Sequence, residues 1–150
     1  MMMIFMQKLQ RIVMEKTISS GNLRGLELKL PIYVGKNPPK LLGMNWYSNA
    51  HYRTANAVKQ EYHKAIGKIL PKDFACLRSP VRTSYRLYYK NKLSDANNII
   101  SITEKFLLDA LQEHGIIVND NVQHYIESSW KVIEQDREAP RVEVLIEEIE

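Results

Sequence analysis

The segment SDANNIISITEKFLLDALQEHGIIVNDN, residues 94–121, decides the fold because it predicts a helix between two strand-like runs. Its apolar side chains recur at helical spacing and cover about half of the helix circumference. Polar side chains cover the other half, and Gly115, directly after His114, marks a C-terminal end. The segment therefore predicts an amphipathic helix with an apolar face formed by Ile99, Ile102, Phe106, Leu107, Ala110 and Leu111.

The sequence on either side of this helix supplies the other elements. Immediately before it, VRTSYRLYYK at 81–90 alternates in the manner of a β-strand and carries basic residues on one face. An earlier run, at about 50–70, is apolar on one helical face and basic on the opposite one. Further strand-like runs occupy 26–34, 122–133 and 142–149. This order predicts an α+β domain in which two main helices pack on one side of a mixed β-sheet.

The size and composition of the chain fit a single globular domain. Its 150 residues are 45% hydrophobic and 25% charged. A chain of this length and composition can form one hydrophobic core. We expect this domain at residues 25–150, with residues 1–24 as an N-terminal extension that is either disordered or upstream of the true start. No apolar run approaches the roughly 20 residues of a transmembrane helix, and the single cysteine, Cys76, has no intrachain partner. These features favour a soluble protein in a reducing, cytoplasmic setting.

Charge is distributed unevenly along the chain. Residues 26–92 contain 13 Lys and Arg against three acidic residues, a net charge of +10. Residues 93–150 contain four Lys and Arg against 13 acidic residues, a net charge of −9. A basic half favours binding to a polyanion such as nucleic acid. The alternative is that the two halves attract each other, within the fold or across a dimer.

The polar residues around the predicted helix admit a purely structural interpretation. Asp and Asn are preferred N-cap residues, which suits Asp95 and Asn97 just before the helix. Lys105 and Asp109 have the i, i+4 spacing of an ion pair, and NDN at 119–121 is a typical turn sequence. Taken singly, each feature favours helix punctuation over a functional site.

Taken together, these residues resemble a pattern of the RusA family of Holliday junction resolvases, in particular its phage-encoded branch. The pattern consists of Asp95-x-Asn97-Asn98, then Lys105, FLLDAL at 106–111, Gly115 and NDN at 119–121. Upstream, LGMNWYSNAHYRTANAVKQEYHKAI at 42–66 is similar to a segment of that branch with an asparagine, an aromatic residue and a basic helix. The resemblance spans about residues 26–130 and implies a RusA-like fold.

The resemblance also implies a catalytic metal site. Asp95 and Asp120 take the places of the first and last catalytic aspartates of the family, and Lys105 takes that of its catalytic lysine. Asn97 stands where the family has a further aspartate, and Asn119 where it has the first residue of an Asp-Asp pair. An amide oxygen still binds Mg²⁺ but adds no negative charge. The implied ligands of Mg²⁺, or of Mn²⁺, are Asp95, Asn97 and Asp120, with the two carboxylates about 4 to 6 Å apart.

Such a site fits the hydrolysis of a phosphodiester, which needs an activated water and stabilisation of the charge that develops on the phosphoryl oxygens. The resemblance therefore implies a Mg²⁺-dependent endodeoxyribonuclease of DNA recombination and repair that cuts four-way junctions or other branched DNA. A homodimer is implied by the resemblance, because a two-fold symmetric junction needs two copies of the site. The residues expected to hold the DNA backbone are Arg53, Lys64 and Lys68 on the first helix and Arg82, Arg86, Lys90 and Lys92 along the strand before Asp95.

Two other functions stay open on the sequence alone. A relative that has lost cleavage through Asn97 would bind DNA junctions without cutting them. An interaction module would instead use the acidic half of the chain to bind a basic partner. A zinc site is not indicated, because the four histidines lack ligand spacing: His51, His63, His114 and His124.

Overall fold

The computed structural model describes residues 10–15, 23–35, 39–78 and 80–149, and for 10–15 it describes the backbone alone. The chain forms seven strands and three helices within these ranges. In chain order they are β1 (Gln10–Glu15), β2 (Arg24–Pro31), β3 (Tyr33–Val34), β4 (Lys40–Leu41), α1 (Met44–Asn49), α2 (Tyr52–Ile69), β5 (Val81–Tyr89), α3 (Ala96–Glu113), β6 (Tyr125–Gln135) and β7 (Arg141–Glu148).

Five of the strands form one mixed sheet in the order β1-β2-β7-β5-β6, and β3 pairs with β4 in a separate two-stranded ribbon. Within the large sheet β5 and β6 are parallel, and the other neighbouring pairs are antiparallel. The α3 helix supplies the crossover that a parallel pair requires. The predicted α+β class with a mixed sheet and helices packed on it is confirmed. The finer expectation of a RusA-like fold stays a prediction.

The core lies between one face of this sheet and the helices. Alternate residues of β2, β5 and β7 are buried on that face, and the α2 and α3 helices cover them with Tyr62 and Phe106, whose rings meet edge to face at 5.8 Å. The hydroxyl group of Tyr62 donates a hydrogen bond to the carbonyl of Pro31, and burial raises the pKa of Tyr62 far above its usual range. Within the described ranges, no helix has both the length and the apolar character of a bilayer-spanning segment.

Several strands begin or end at other residues than the sequence predicted. Part of the predicted N-terminal extension, Gln10–Glu15, adds a strand to the sheet by pairing with β2, while residues 1–9 and 16–22 lie outside the described part of the chain. The predicted strand at 26–34 is interrupted at Ile32. The predicted strand at 122–133 begins only at Tyr125, because the side chain of Asn121 accepts a hydrogen bond from the amide of Gln123 and holds a turn there.

The helices α2 and α3 are joined by polar contacts as well as by the core. The ammonium of Lys59 lies 2.9 Å from the carboxylate of Asp109, so the predicted pair between Lys105 and Asp109 is wrong. One turn further along, the buried His63 ring donates a hydrogen bond to the carboxylate of Glu113. This hydrogen bond is the main reason that the pKa of Glu113 lies below its ordinary value.

Replacing Glu113 with glutamine should lower the free energy of unfolding at pH 7, and the difference from the wild type should shrink in acid. Because the pKa of Glu113 is lower in the folded chain than in the unfolded one, its stabilising effect is present above the ordinary value of 4.5. It is lost as pH falls through the lowered pKa. Urea unfolding at pH 7 and at acidic pH measures this. Glu61→Gln, which removes an exposed carboxylate on α2, is the matched control and should leave the free energy of unfolding at pH 7 nearly unchanged.

Candidate metal and nucleic-acid sites

Asp95 occupies the N-cap position of α3. Its Oδ1 accepts a hydrogen bond from the backbone amide of Asn98 at 3.3 Å, and the side chain is otherwise exposed. Asn97, expected before the helix, lies in its first turn and is also exposed. A carboxylate at this end is favoured by the unpaired amides and the dipole of the helix. The structural interpretation of Asp95 as a cap is therefore correct, and capping leaves its carboxylate accessible to solvent.

Asp120 lies in the loop between α3 and β6. The side-chain oxygen of Asn119 accepts a hydrogen bond from the amide of Asn121 at 3.0 Å, as in an Asx turn. Asp120 itself is exposed at the tip of this turn. The NDN sequence is therefore a turn, as the structural interpretation predicted, and it presents one carboxylate to solvent.

The two carboxylates lie at opposite ends of α3 within one protomer. Asp120 falls between Ile117, which bridges to Leu77, and His124, whose carbonyl accepts a hydrogen bond from the first residue of β5. Asp95 instead follows the last residue of β5 by six positions. The 18 residues of α3 that separate these ends measure about 27 Å along the axis. The expected approach to about 4 to 6 Å is therefore wrong for a single protomer.

Lys105 lies in the middle of α3, ten residues and so about 15 Å along the axis from Asp95. Its side chain is exposed, and its ammonium lies 5.9 Å from the centre of the Tyr47 ring. The three predicted catalytic residues thus lie at the start, in the middle and beyond the end of α3. Among the described residues, no group of three or more His, Cys, Asp or Glu is close enough to hold a metal ion.

Two of the seven predicted DNA-binding residues are engaged in ion pairs on the sheet face that the helices leave open. Arg82 contacts Glu147 at 3.2 Å and Glu127 at 3.5 Å. Arg86 contacts Glu27 at 3.0 Å and Glu143 at 3.3 Å. These contacts join the basic half of the chain to the acidic half, as one interpretation of the charge distribution proposed. They also leave less positive charge for a phosphate and less negative charge for a basic partner.

The three basic residues predicted on the first helix lie on the exposed face of α2. Arg53, Lys64 and Lys68 are exposed, and no carboxylate forms an ion pair with them in the described part of the chain. The guanidinium of Arg53 donates a hydrogen bond to the hydroxyl group of Tyr52. The positions 53, 64 and 68 fall within one side of the helix at 100° per residue. This face carries positive charge along much of the length of α2.

The remaining two predicted residues, Lys90 and Lys92, line a groove of about 720 Å³ at the end of β5. None of the described residues that line this groove is acidic. The ammonium of Lys90 lies 5.3 Å from the centre of the Tyr33 ring, and partial burial raises the pKa of Tyr33. We call this groove, lined by Tyr33, Lys90, Asn91, Lys92, Gln135 and Arg137, the cationic groove.

Arg137 contributes the third positive charge of the cationic groove, and the sequence analysis did not identify it. It lies 45 positions after Lys92, in the acidic half of the chain. A usable signal was nevertheless present. A strand, a helix and a further strand in succession predict a parallel pair, whose carboxyl ends meet at one edge of the sheet. Arg137 is the second residue after β6, and Lys90 is the first residue after β5.

A comparison with the models of known protein families gives no match, and neither does a comparison with curated proteins. The resemblance to the RusA family therefore rests on the motif residues alone.

Removing two charges of the cationic groove, in Lys92→Ala/Arg137→Ala, should weaken DNA binding and reduce its salt dependence. Each phosphate contact that is lost lowers the slope of log affinity against log salt by about 1. The matched control is Lys72→Ala/Arg78→Ala, which removes two exposed charges before β5, at the opposite end of the strand. Fluorescence anisotropy over a salt series measures both slopes. If the two double variants have equal slopes, the DNA does not bind in the cationic groove.

Proposed function

We propose that the protein is a Mg²⁺-dependent endodeoxyribonuclease that resolves Holliday junctions or other branched DNA by paired phosphodiester hydrolysis, as its resemblance to the RusA family implies. The observation that carries this proposal is the position of the cationic groove, because its Lys92 lies three residues before Asp95. Three residues span at most about 10 Å. A DNA phosphate held in the groove is therefore delivered beside the Asp95 carboxylate.

The side chains at the N-terminal end of α3 can bind Mg²⁺, since carboxylate and amide oxygens are its preferred protein ligands. Asp95 and Asn97 would hold the ion, which when bound lowers the pKa of water and polarises the phosphoryl oxygens. Mg²⁺ commonly takes only one or two carboxylates from the protein and the rest of its ligands from water and phosphate. The charges of Lys90, Lys92 and Arg137 would hold the phosphate against the repulsion of Asp95.

A homodimer belongs to this proposal. A four-way junction has two-fold symmetry, and paired nicks in opposite strands need two identical sites related by the same symmetry. The exposed basic face of α2, with Arg53, Lys64 and Lys68, supplies a further surface for the arms of the junction. Shape and backbone contacts of this kind recognise branched DNA without reading a base sequence.

A second candidate function is a junction-binding protein without nuclease activity. It is favoured by the separation of Asp95 and Asp120 along α3, and by the uncharged Asn97 beside Asp95. Both candidates share the cationic groove and the basic face of α2. They differ in whether the phosphodiester is cut.

A nicking assay on a synthetic mobile four-way junction, with and without Mg²⁺, separates the two candidates. The nuclease should release paired nicked products in Mg²⁺ or Mn²⁺ and should leave a linear duplex of the same sequence intact. Asp95→Asn should stop nicking yet keep junction binding, because Asn caps a helix about as well as Asp and the positive charges are untouched. Junction binding without nicking by the wild type in either metal would establish the second candidate.

Replacing Asn97 with aspartate should lower the Mg²⁺ concentration needed for half-maximal nicking. The carboxylate adds one negative charge to the donor set, and hard divalent cations bind more tightly as ligand charge increases. Asn98→Asp is the matched control, since it adds the same charge at the adjacent helix position. A Mg²⁺ titration of the nicking rate compares both variants with the wild type. An equal midpoint for Asn97→Asp and the wild type would exclude Asn97 as a ligand.

A further inference from the structure

The cationic groove has an aromatic wall formed by Tyr33. Part of this side chain packs against the core, which anchors the ring. The ammonium of Lys90 lies over one face of the ring, 5.3 Å from its centre, so this face borders the groove that both residues line. Lys90 is exposed, and within the described part of the chain no carboxylate forms an ion pair with it. An anchored aromatic ring whose face is covered only by a flexible side chain is a platform on which a nucleobase stacks.

Two side-chain amides of the groove are held in fixed orientations by the backbone. The Oδ1 of Asn91 accepts a hydrogen bond from the amide of Leu93 at 2.9 Å. The Nε2 of Gln135 donates a hydrogen bond to the carbonyl of Lys90, also at 2.9 Å. Turning either amide over would bring two donors or two acceptors together. The Nδ2 donor of Asn91 and the Oε1 acceptor of Gln135 are therefore left for a ligand, since neither has a partner among the described residues.

The other residues of the groove carry the charge that a phosphate requires. Lys92 and Arg137 are exposed, and the groove volume of about 720 Å³ lies within the range of sites that hold small molecules. A surface that met only the DNA backbone would need these cations alone. The ring and the two amides add stacking and hydrogen bonds to a base edge, which are the contacts by which proteins recognise unpaired nucleotides.

We propose that the cationic groove binds one unpaired nucleotide of a DNA strand. The base stacks on Tyr33, and its edge meets the free donor of Asn91 and the free acceptor of Gln135. The phosphate is held by Lys92 and Arg137.

Only a nucleotide outside a double helix can make these contacts. In a duplex the faces of a base are covered by its neighbours, and its pairing edge is occupied. The energy needed to take a base out of the stack is smallest where that base is already unpaired. Because branched DNA offers such nucleotides at its branch point, this role of the groove rests on the proposed function and adds the recognition of a base to it.

The position of the groove determines which base is recognised. Lys92 lies three residues before Asp95, and three residues span at most about 10 Å. The bound nucleotide is therefore close to the phosphate that the Asp95 carboxylate would meet. Tyr33, Asn91 and Gln135 are thus specificity-determining residues, and nicking should depend on the base next to the cut phosphate.

Removing the base from the ligand tests this site without reference to cleavage. The probe is a DNA duplex with one extrahelical nucleotide, and its control carries an abasic residue at the same position. In EDTA, the wild type should bind the probe about 5-fold to 100-fold more tightly than the abasic duplex, which is the range expected for the stacking of one base. Fluorescence anisotropy measures both dissociation constants. Equal affinities would overturn the proposed site.

Variants of Tyr33 assign this difference to its ring. Tyr33→Phe should keep the preference for the probe, because the aromatic ring is retained. Tyr33→Leu keeps an apolar contact with the core but has no aromatic face, and it should bind the two duplexes almost equally. Tyr52→Leu removes a tyrosine that is 70% exposed on α2, and as the matched control it should keep the wild-type preference. A Tyr33→Leu protein with the full wild-type preference would contradict stacking on Tyr33.

The choice among bases tests the two amides. The wild type should bind the best and the worst of extrahelical A, C, G and T with affinities that differ about 5-fold to 100-fold. Asn91→Asp keeps an oxygen for the amide of Leu93 but replaces the free donor with an acceptor, so the ranking of the four bases should change. The added charge lowers all four affinities alike. Lys92→Ala, the matched control, should weaken all four and keep the ranking. Equal binding of the four bases by the wild type would overturn the role of the amides.

The results also separate this role of the groove from the proposed function and from the binding of a free nucleotide. A wild type that prefers the probe to the abasic duplex, yet never nicks a junction, would retain the nucleotide site and reject the nuclease. A nuclease whose binding ignores the extrahelical base would reject the nucleotide site alone. Deoxynucleoside monophosphates should displace the probe only at about millimolar concentration, because they lack the flanking phosphates of a strand. Displacement at micromolar concentration would assign the groove to a free nucleotide and overturn a DNA strand as its ligand.

Discussion

The length of α3 is the constraint on which the arrangement of the polar residues depends. A parallel pair of strands requires a crossover that returns the chain from the end of one strand to the start of the next. Here α3 makes that return between β5 and β6, and its 18 residues span about 27 Å. Any residues that flank α3 in sequence are therefore held apart in space. A motif with residues at both flanks cannot form a single cluster in one protomer.

The open face of the sheet determines which charges are available to a ligand. Its arginines are neutralised by carboxylates on neighbouring strands, so the formal charge of β5 exceeds the charge that a phosphate would meet. Arg141 is neutralised in the same way by Asp136 and Glu143. The hydrogen bond from the backbone amide of Ala139, and then the contact with Arg141, lower the pKa of Asp136. The basic residues on the exposed face of α2 and in the cationic groove, by contrast, have no described carboxylate partner. Whether a basic residue is neutralised therefore depends more on its position relative to the sheet than on the net charge of its segment.

The sequence predicted the periodic features of the fold better than the contacts between them. Helical spacing located α3 to within a few residues, because its apolar face packs on the core along its whole length. The partner of Asp109 was not predictable, since Lys59 is 50 positions away and the i, i+4 spacing to Lys105 offered a local alternative. Arg137 was missed although the strand, helix and strand in succession predicted a parallel pair whose ends meet. The spacing of the Asp95 and Asp120 motif gave no indication that the connecting helix holds the two residues apart.

The central position of β7 has a consequence for the synthesis of the protein. This strand follows every other described element in the chain, yet it lies between β2 and β5 and pairs with both. Until residues 141–148 have been made, the β1–β2 ribbon and the β5–β6 pair have no strand to join them. Chain growth at about 5 to 20 residues per second is slow compared with the formation of helices and hairpins within microseconds. Until β7 is in place, β2 and β5 therefore each have an unpaired edge that is open to aggregation.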